Sequence, residues 1–192
     1  MNGLISLFDT FDKKLMLFLN GLHQPWLDPL MLFATQRWTW LPFYALLLGL
    51  LFWKYKLKVW PYLIALTFTI TIADQVASGI CKPFFKRLRP CHQTEMIEKG
   101  LYVLDHHAGQ FGFISSHASN SFAASVFLGL VFGAGWRIRA LLLWAFVVSY
   151  SRIYVGVHFP LDILLGGIVG TLTGWGMFVI LKNIKIKGDY LV

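Results

Sequence analysis

Apolar residues run through this chain in long blocks broken by short basic clusters. The first block is the exception. Leu4, Ile5, Leu7, Phe8, Phe11, Leu15, Phe18, Leu19 and Leu22 recur at spacings of three and four among Asp9, Asp12, Lys13 and Lys14. That is the pattern of an amphipathic helix lying in a membrane interface. The stretch from Trp26 to Ala34 is apolar but short, bracketed by Pro25 and by Thr35-Gln36-Arg37. It fits a re-entrant piece, a separate short helix or the start of the first span. Clear spans follow: Trp38 or Thr39 to Trp53, about Val59 to Ile80, about Ser116 to Phe132, about Ala140 to Tyr154, and about Phe159 to Leu181. Each is near the roughly 20 residues that cross a hydrocarbon core. The pattern predicts an all-α integral membrane protein: five transmembrane helices, six if the N-terminal stretch inserts, with an interfacial amphipathic helix at the N-terminus. Residues 1–192 read as a single domain, with 1–37 as the interfacial region and 38–192 as the bundle.

Composition supports this. Of 192 residues, 57% are hydrophobic and 14% charged, against about 25% charged in soluble domains, and the mean hydropathy is +0.62. The net charge of +8 does not argue for nucleic acid, because the basic residues sit in short loops between apolar runs, where they orient the chain and meet anionic headgroups. Lys54, Lys56, Lys58, Arg137, Arg139, Lys182, Lys185 and Lys187 fall at span ends on one face. The positive-inside rule makes that face, and the C-terminus, cytoplasmic. Lys82, Lys86, Arg87, Arg89, Lys99 and Arg152 lie on the opposite face; they blunt the signal and imply another job. Cys81 and Cys91 could pair in an oxidising compartment, and two free thiols fit equally well. The first residues carry Asp9, Asp12, Lys13 and Lys14 without a small-residue cleavage pattern, so no cleavable signal peptide is expected.

Three groups carry chemistry, all on the face opposite the basic span ends. The first is Lys82-Pro-Phe-Phe-Lys-Arg-Leu-Arg89-Pro90. Lys82 and Arg89 are seven apart and share a face if the helix continues that far; Asp74, Ser78 and Lys82 form a polar stripe at spacings of four. Alone, this reads equally well as juxtamembrane cations on lipid headgroups. The second is Ile114-Ser115-Ser116-His117 at the start of the third span. A capping serine and free backbone N–H groups make an anion site there, and His117 can protonate a leaving oxygen. Alone, it reads as a cap beside an interfacial histidine. The third is Tyr150 to Asp162, with Arg152, His158 and Asp162 where a membrane segment should carry no ionisable residue. His158 and Asp162 are four apart, placing both on one face of a helix starting near Pro160.

Together the groups supply phosphoryl transfer through a phosphohistidine without a metal. His158 attacks, Asp162 orients it, His117 protonates the leaving group, and Lys82, Arg89 and Arg152 neutralise the phosphoryl oxygens. No carboxylate cluster suits Mg²⁺, and Asp105, His106 and His107 are too few for zinc; these three are expected to be loop residues, solvated or touching a headgroup.

Lys-x6-Arg-Pro, then Ser-x-His, then Ser-Arg-x5-His-x3-Asp resembles the three-part signature of the type 2 phosphatidic acid phosphatase family. The match runs from Lys82 to Asp162 and includes Pro90 and Ser151. The middle part of that signature usually reads Pro-Ser-Gly-His, so Ser116 stands where the family has glycine. The resemblance implies a lipid phosphatase without cofactor, with His158 as nucleophile, His117 as general acid, Asp162 as its orienting group, and Lys82, Arg89, Ser115, Ser116 and Arg152 on phosphate. The resemblance to bacterial members also implies an inner (plasma) membrane location with the site facing the periplasm. The expected partners are a lipid phosphate and the bilayer, with no nucleic acid, and the sequence leaves the oligomeric state open. The compact chain and the short loop between the second and third spans rank undecaprenyl diphosphate first. Lipid A phosphates and phosphatidylglycerophosphate are the alternatives, along with a phosphotransferase using the same phosphohistidine.

Overall fold

The computed structural model describes residues 2–184, with side chains from residue 6 onward. Leu4 and Ile5, as side chains, and Lys185 and Lys187 lie outside the described residues. Its elements are helical: α1 (Asn2–Asn20), α2 (Asp28–Thr35), α3 (Leu41–Tyr55), α4 (Trp60–Asp74), α5 (Lys82–Phe85), α6 (Thr94–Glu98), α7 (Ser116–Val131), α8 (Trp136–Tyr154) and α9 (Pro160–Asn183). A π-helical segment, Gln75–Cys81, joins α4 to α5. The helical run Arg37–Phe85 and α9 are long and apolar enough to cross a membrane. Proline stands in the first turn of α2, α3, α4, α5 and α9. There its fixed φ starts a helix and its missing N–H costs nothing. The ambiguous stretch before residue 37 is a separate short helix, α2.

The bundle turns apolar side chains outward. Leu57, Trp53, Phe84, Leu143, Phe146, Leu164 and Trp175 are exposed, an arrangement suited to hydrocarbon and costly in water. Helix α1 follows the same rule. Its apolar Leu7, Phe8, Phe11 and Phe18 face out, while Asp12, Met16 and Asn20, each one turn apart, are buried against the protein. Asn20 Nδ2 donates to the Ile153, Tyr154 and Tyr102 carbonyls, and its Oδ1 accepts from the Tyr102 N–H. The amphipathic helix is therefore docked by its polar face.

Two ends of the bundle are defined by contacts. At one, Lys54 Nζ and Tyr55 Oη both donate to the Val131 carbonyl at 2.9 Å, and Leu51, Val59, Val131, Leu141 and Leu181 form one buried cluster. The other end collects the close of α5, the start of α7 and the α8–α9 turn.

The α7–α9 pair sets the alignment of that second end. A Cβ on Gly166, Gly170 or Gly174 would come 2.6, 2.2 or 2.5 Å from the carbonyl oxygens of Ser115, Ser119 and Ala123 respectively. Glycine every fourth residue thus lets the two backbones touch, fixing the start of α7 against the start of α9. The α8–α9 turn relies on Gly156, at φ +85 and with no room for a Cβ beside the Tyr102 carbonyl.

Candidate active site

Asp162 is the third residue of α9, and its carboxylate turns back over the helix start. Oδ2 accepts from the Phe159 N–H at 3.0 Å and lies 3.3 Å from His158 Nδ1. The expected pair forms, though not by the expected geometry. His158 precedes the helix, and the contact comes from the N-terminal carboxylate reaching back to the loop. On the other side of the ring, Arg89 Nη1 is 2.8 Å from Nε2. A guanidinium only donates and a carboxylate only accepts, so the proton sits on Nδ1 and Nε2 presents a lone pair. Burial, with the cations of Arg89, Arg152 and Lys82 nearby, holds the imidazole well below its usual range and so neutral. Gly112 packs against the pair: a Cβ there would lie 3.2 Å from Asp162 Oδ2 and 3.5 Å from His158 Nδ1.

Lys82 and Arg89 meet at the site, but not on one helix face. The helix ends at Phe85 because Lys86 adopts the left-handed conformation, φ 47. The chain then runs extended to Arg89, as the residue before a proline prefers. Leu88 pairs antiparallel with Phe111, the Arg89 N–H donates to the Gln110 carbonyl and the Gly112 N–H donates to the Arg87 carbonyl. Lys82 Nζ donates to Ser78 Oγ and Ser116 Oγ, each at 3.1 Å. Ser115 caps α7 with its side chain, and its own N–H donates to the Asp162 carbonyl, tying α7 to α9. Ser116 is the first residue of α7 and is not among the positive-φ residues, so a serine meets the backbone requirement where the family has glycine. Its hydroxyl adds a partner for Lys82 that glycine cannot supply.

Arg152 is buried, donates from Nη1 to Thr35 Oγ1 and lies 3.6 Å from Asp105 Oδ2. Asp105 also accepts from the His107 N–H, so this loop is anchored to a site arginine by its aspartate. The Nε atoms of Arg89 and Arg152 are buried without a hydrogen-bond partner, two cationic donors that an anion would satisfy.

These groups border a cavity of about 700 Å³, lined among others by Lys82, Arg89, Ser116, His117, Arg152 and the Asp105–His107 loop. A second cavity of about 330 Å³ shares Thr35, Arg37, Asp74, Ser116 and His117 with it and continues between Trp40, Tyr44, Ile70, Ala124 and Trp144. A third, about 170 Å³, shares Tyr44, Ile70, Ala124 and Trp144 and is lined by leucines of α3, α4, α7 and α8. A polar chamber thus opens into an apolar slot. Sequence reasoning missed Thr35, Arg37, Arg87, Gly112 and Asn120. Asp74, noted only as part of a stripe, lines both larger cavities and accepts from Asn120 Nδ2 at 3.0 Å. Cys81 and Cys91 are both free thiols. Among the described residues, no three His, Cys, Asp or Glu side chains gather as a metal site.

An all-helical bundle that sets His117, Lys82, Arg89 and Arg152 around one cavity, with the buried His158–Asp162 pair joined to it through Arg89, defines a phosphoryl-transfer protein of the membrane-phosphatase type. The PAP2 superfamily model matches residues 58–186, and the chain belongs to that family. It is 37% identical over 186 residues to a lipid A 4'-phosphatase of Bacteroides thetaiotaomicron, covering 96% of this chain and 83% of that protein. A lipid A 4'-phosphatase of Porphyromonas gingivalis is 35% identical over 166 residues, 85% of this chain and 70% of that one. An undecaprenyl-diphosphatase of Sulfolobus acidocaldarius is 30% identical over 164 residues, 84% of this chain and 74% of that one. Among solved structures, LpxE of Aquifex aeolicus superposes with a TM-score of 0.68 at 29% identity over 86% of this chain and 93% of that one. A phosphatidylglycerolphosphate phosphatase of Bacillus subtilis gives 0.75 at 22% identity, over 94% of this chain and 89% of that one, a likeness of fold alone.

Proposed function

We propose that this chain is a membrane lipid phosphatase working through a phosphohistidine on His158, and that its substrate is a phosphate monoester on an acylated saccharide of the lipid A type. The observation that carries the chemistry is the pair of contacts fixing His158, Asp162 at Nδ1 and Arg89 at Nε2. An incoming phosphate takes over Arg89, freeing the Nε2 lone pair, and also meets Lys82, Arg152 and the N-terminus of α7 at Ser115 and Ser116. Nε2 attacks phosphorus as the bond to the lipid oxygen breaks, and His117 protonates that oxygen. The charge gathering on the imidazole is held by Asp162. Water then attacks phosphorus, its proton passes to His117, and phosphate leaves with His158 restored. The three cations at the site supply the charge stabilisation, so no step is routed through a metal.

The substrate ranking differs from that of the sequence reading, which favoured undecaprenyl diphosphate for want of headgroup room. The two lipid A 4'-phosphatases share more identity with this chain over similar or greater length than the undecaprenyl-diphosphatase does, and a chamber of about 700 Å³ accommodates a sugar. The apolar slot beside it suits one acyl chain. The same reading takes residues 1–192 as one domain with five transmembrane helices. The site faces the periplasm, and the Lys54–Lys58, Arg137–Arg139 and Lys182 end faces the cytoplasm.

The test is phosphate release in detergent, with chelator, from lipid A bearing a 4'-phosphate, undecaprenyl diphosphate and phosphatidylglycerophosphate side by side. We expect turnover of the saccharide lipid to exceed the others, and no turnover by His158→Ala. Faster turnover of the diphosphate would reverse the substrate assignment; equal rates for His158→Ala and wild type would remove the phosphohistidine. Transfer of label to an added lipid acceptor and not to water would make the protein a phosphotransferase.

A further inference from the structure

Arg87 belongs to the same basic run as Lys82 and Arg89, yet it does not line the substrate chamber. Its guanidinium points the other way. Nη1 donates to Asp162 Oδ1 at 3.0 Å, while Nη2 donates to Asp12 Oδ2 at 2.7 Å and to Asp9 Oδ1 at 3.2 Å. Its Cζ lies over the Phe159 ring, 4.1 Å from the ring centroid. Asp12, fully buried on the docked face of α1, also uses its other oxygen: Oδ1 accepts from the Leu161 N–H at 2.9 Å, in the first turn of α9.

The consequence for Asp162 is direct. Oδ2 is committed to the Phe159 N–H and the His158 ring, so the setting of the carboxylate plane depends on what holds Oδ1. Arg87 is that partner. The rigid, planar guanidinium fork places one donor, Nη1, on Asp162 while its other nitrogen, Nη2, is held by Asp12 and Asp9, so the direction of the Nη1 bond is fixed by α1. Remove Arg87, and a buried oxygen loses its ion pair and the carboxylate is free to turn away from Nδ1. Remove the Asp12 charge, and both the fork and the start of α9 lose their anchor.

We propose that Arg87 is a positioning residue for the reaction, held in place by Asp12, and that docking of α1 therefore belongs to the catalytic apparatus. The proposal rests on the reading of His158 as nucleophile. Arg87 touches neither substrate nor the reacting nitrogen; it acts through Asp162. Sequence pattern hides this, since Arg87 reads as a headgroup cation and Asp12 as the polar side of an interfacial helix.

The test compares kcat and KM for the full chain in detergent, using the best lipid phosphate from the panel above, for Arg87→Gln, Arg87→Lys, Asp12→Asn and Asp162→Asn. We expect Arg87→Gln to lower kcat by about 10- to 100-fold, the usual cost of losing a partner that orients a catalytic group, with KM within about twofold of wild type. Arg87→Lys should recover part of the loss, and Asp12→Asn, nearly isosteric, should show a smaller fall in kcat of the same kind. Adding Arg87→Gln to Asp162→Asn should cost nothing further, because the group it positions has already gone. A wild-type kcat in Arg87→Gln, or losses that multiply in the double variant, would overturn the proposal. If Arg87→Gln fails to fold, Asp12→Asn and Arg87→Lys decide: unchanged kcat in both overturns it. Activity retained in His158→Ala would instead overturn the underlying reading, so the two failures are distinguishable.

Discussion

Arg89 Nη1 sits 2.8 Å from His158 Nε2, donating to the very nitrogen whose lone pair is available for attack. The contact makes one cation serve two states: before the phosphate arrives it covers the nucleophile, and afterwards it can turn to the phosphoryl oxygens. It also sets the charge of the ring, because a guanidinium at this distance disfavours a second proton on the imidazole.

A pH profile follows from this. His158 is held well below the usual imidazole range by burial and then by Arg89, Arg152 and Lys82. The group must be neutral to attack, so activity is present above its depressed pKa and is lost as pH falls through it. The acid limb of kcat/KM, which reports the free protein, should therefore lie below pH ~6.5, the value for an unperturbed histidine. Arg89→Gln should move that limb upward besides lowering the rate. A limb attributable to His158 above the ordinary histidine value would refute the assignment.

Ser116→Gly restores the family residue and removes the hydroxyl 3.1 Å from Lys82 Nζ. Lys82 keeps Ser78 as a partner, so the loss is partial. A hydrogen bond of this kind contributes about 1 kcal/mol net, so Tm should fall slightly, and if Lys82 is less well placed for phosphate kcat/KM should fall about fivefold through KM. Faster turnover in the glycine variant would show that the hydroxyl restrains Lys82 and does not help it.

Much of the candidate site was legible from residue types and spacing. Lys82, Arg89, Ser115, Ser116, His117, Arg152, His158 and Asp162 were singled out, and the structure gathers them around one end of the bundle. Two of the geometries considered for them are not the ones found, the first because the helix on which it depended stops at Phe85. Lys82 and Arg89 come together through a left-handed Lys86 and an extended segment, not a two-turn helix. Asp162 meets His158 from the third position of a helix that His158 itself precedes. Arg87, Asp12 and Gly112 stayed hidden because their partners are far along the chain: 75 residues separate Arg87 from Asp162. Pattern reading sees faces of single helices, and a docked polar face looks the same as a solvated one.

Gly170 has the least space of the three α9 glycines against α7, with 2.2 Å between a built Cβ and the Ser119 carbonyl oxygen. Gly170→Ala must push α9 away from α7 at backbone level, where no rotamer change can relieve the clash. Overpacking of this kind costs about 1–3 kcal/mol. We expect a lower Tm in detergent and also a lower kcat, since α7 carries His117 and α9 carries Asp162. Gly176→Ala, with nothing within 4 Å of its Cβ position, is the control and should leave both unchanged. A Gly170→Ala variant with wild-type Tm would show that the helices separate without cost.

Ala124 lines the second and third cavities, between Tyr44 and Trp144 where the lining passes from polar to apolar. If one acyl chain of the substrate occupies this slot, filling it should penalise long chains and spare short ones. Each buried methylene contributes about 0.8 kcal/mol, so losing three or four of them raises KM by about 50- to 200-fold at most, and partial occupancy gives less. Ala124→Phe should therefore raise KM for a long-chain lipid phosphate by at least tenfold, leave kcat near wild type, and leave kcat/KM for a water-soluble, short-chain phosphate monoester unchanged. Steady-state kinetics on a chain-length series checks this directly. Equal loss on both substrates would mean that the slot supports the fold around His117 and does not hold the lipid tail.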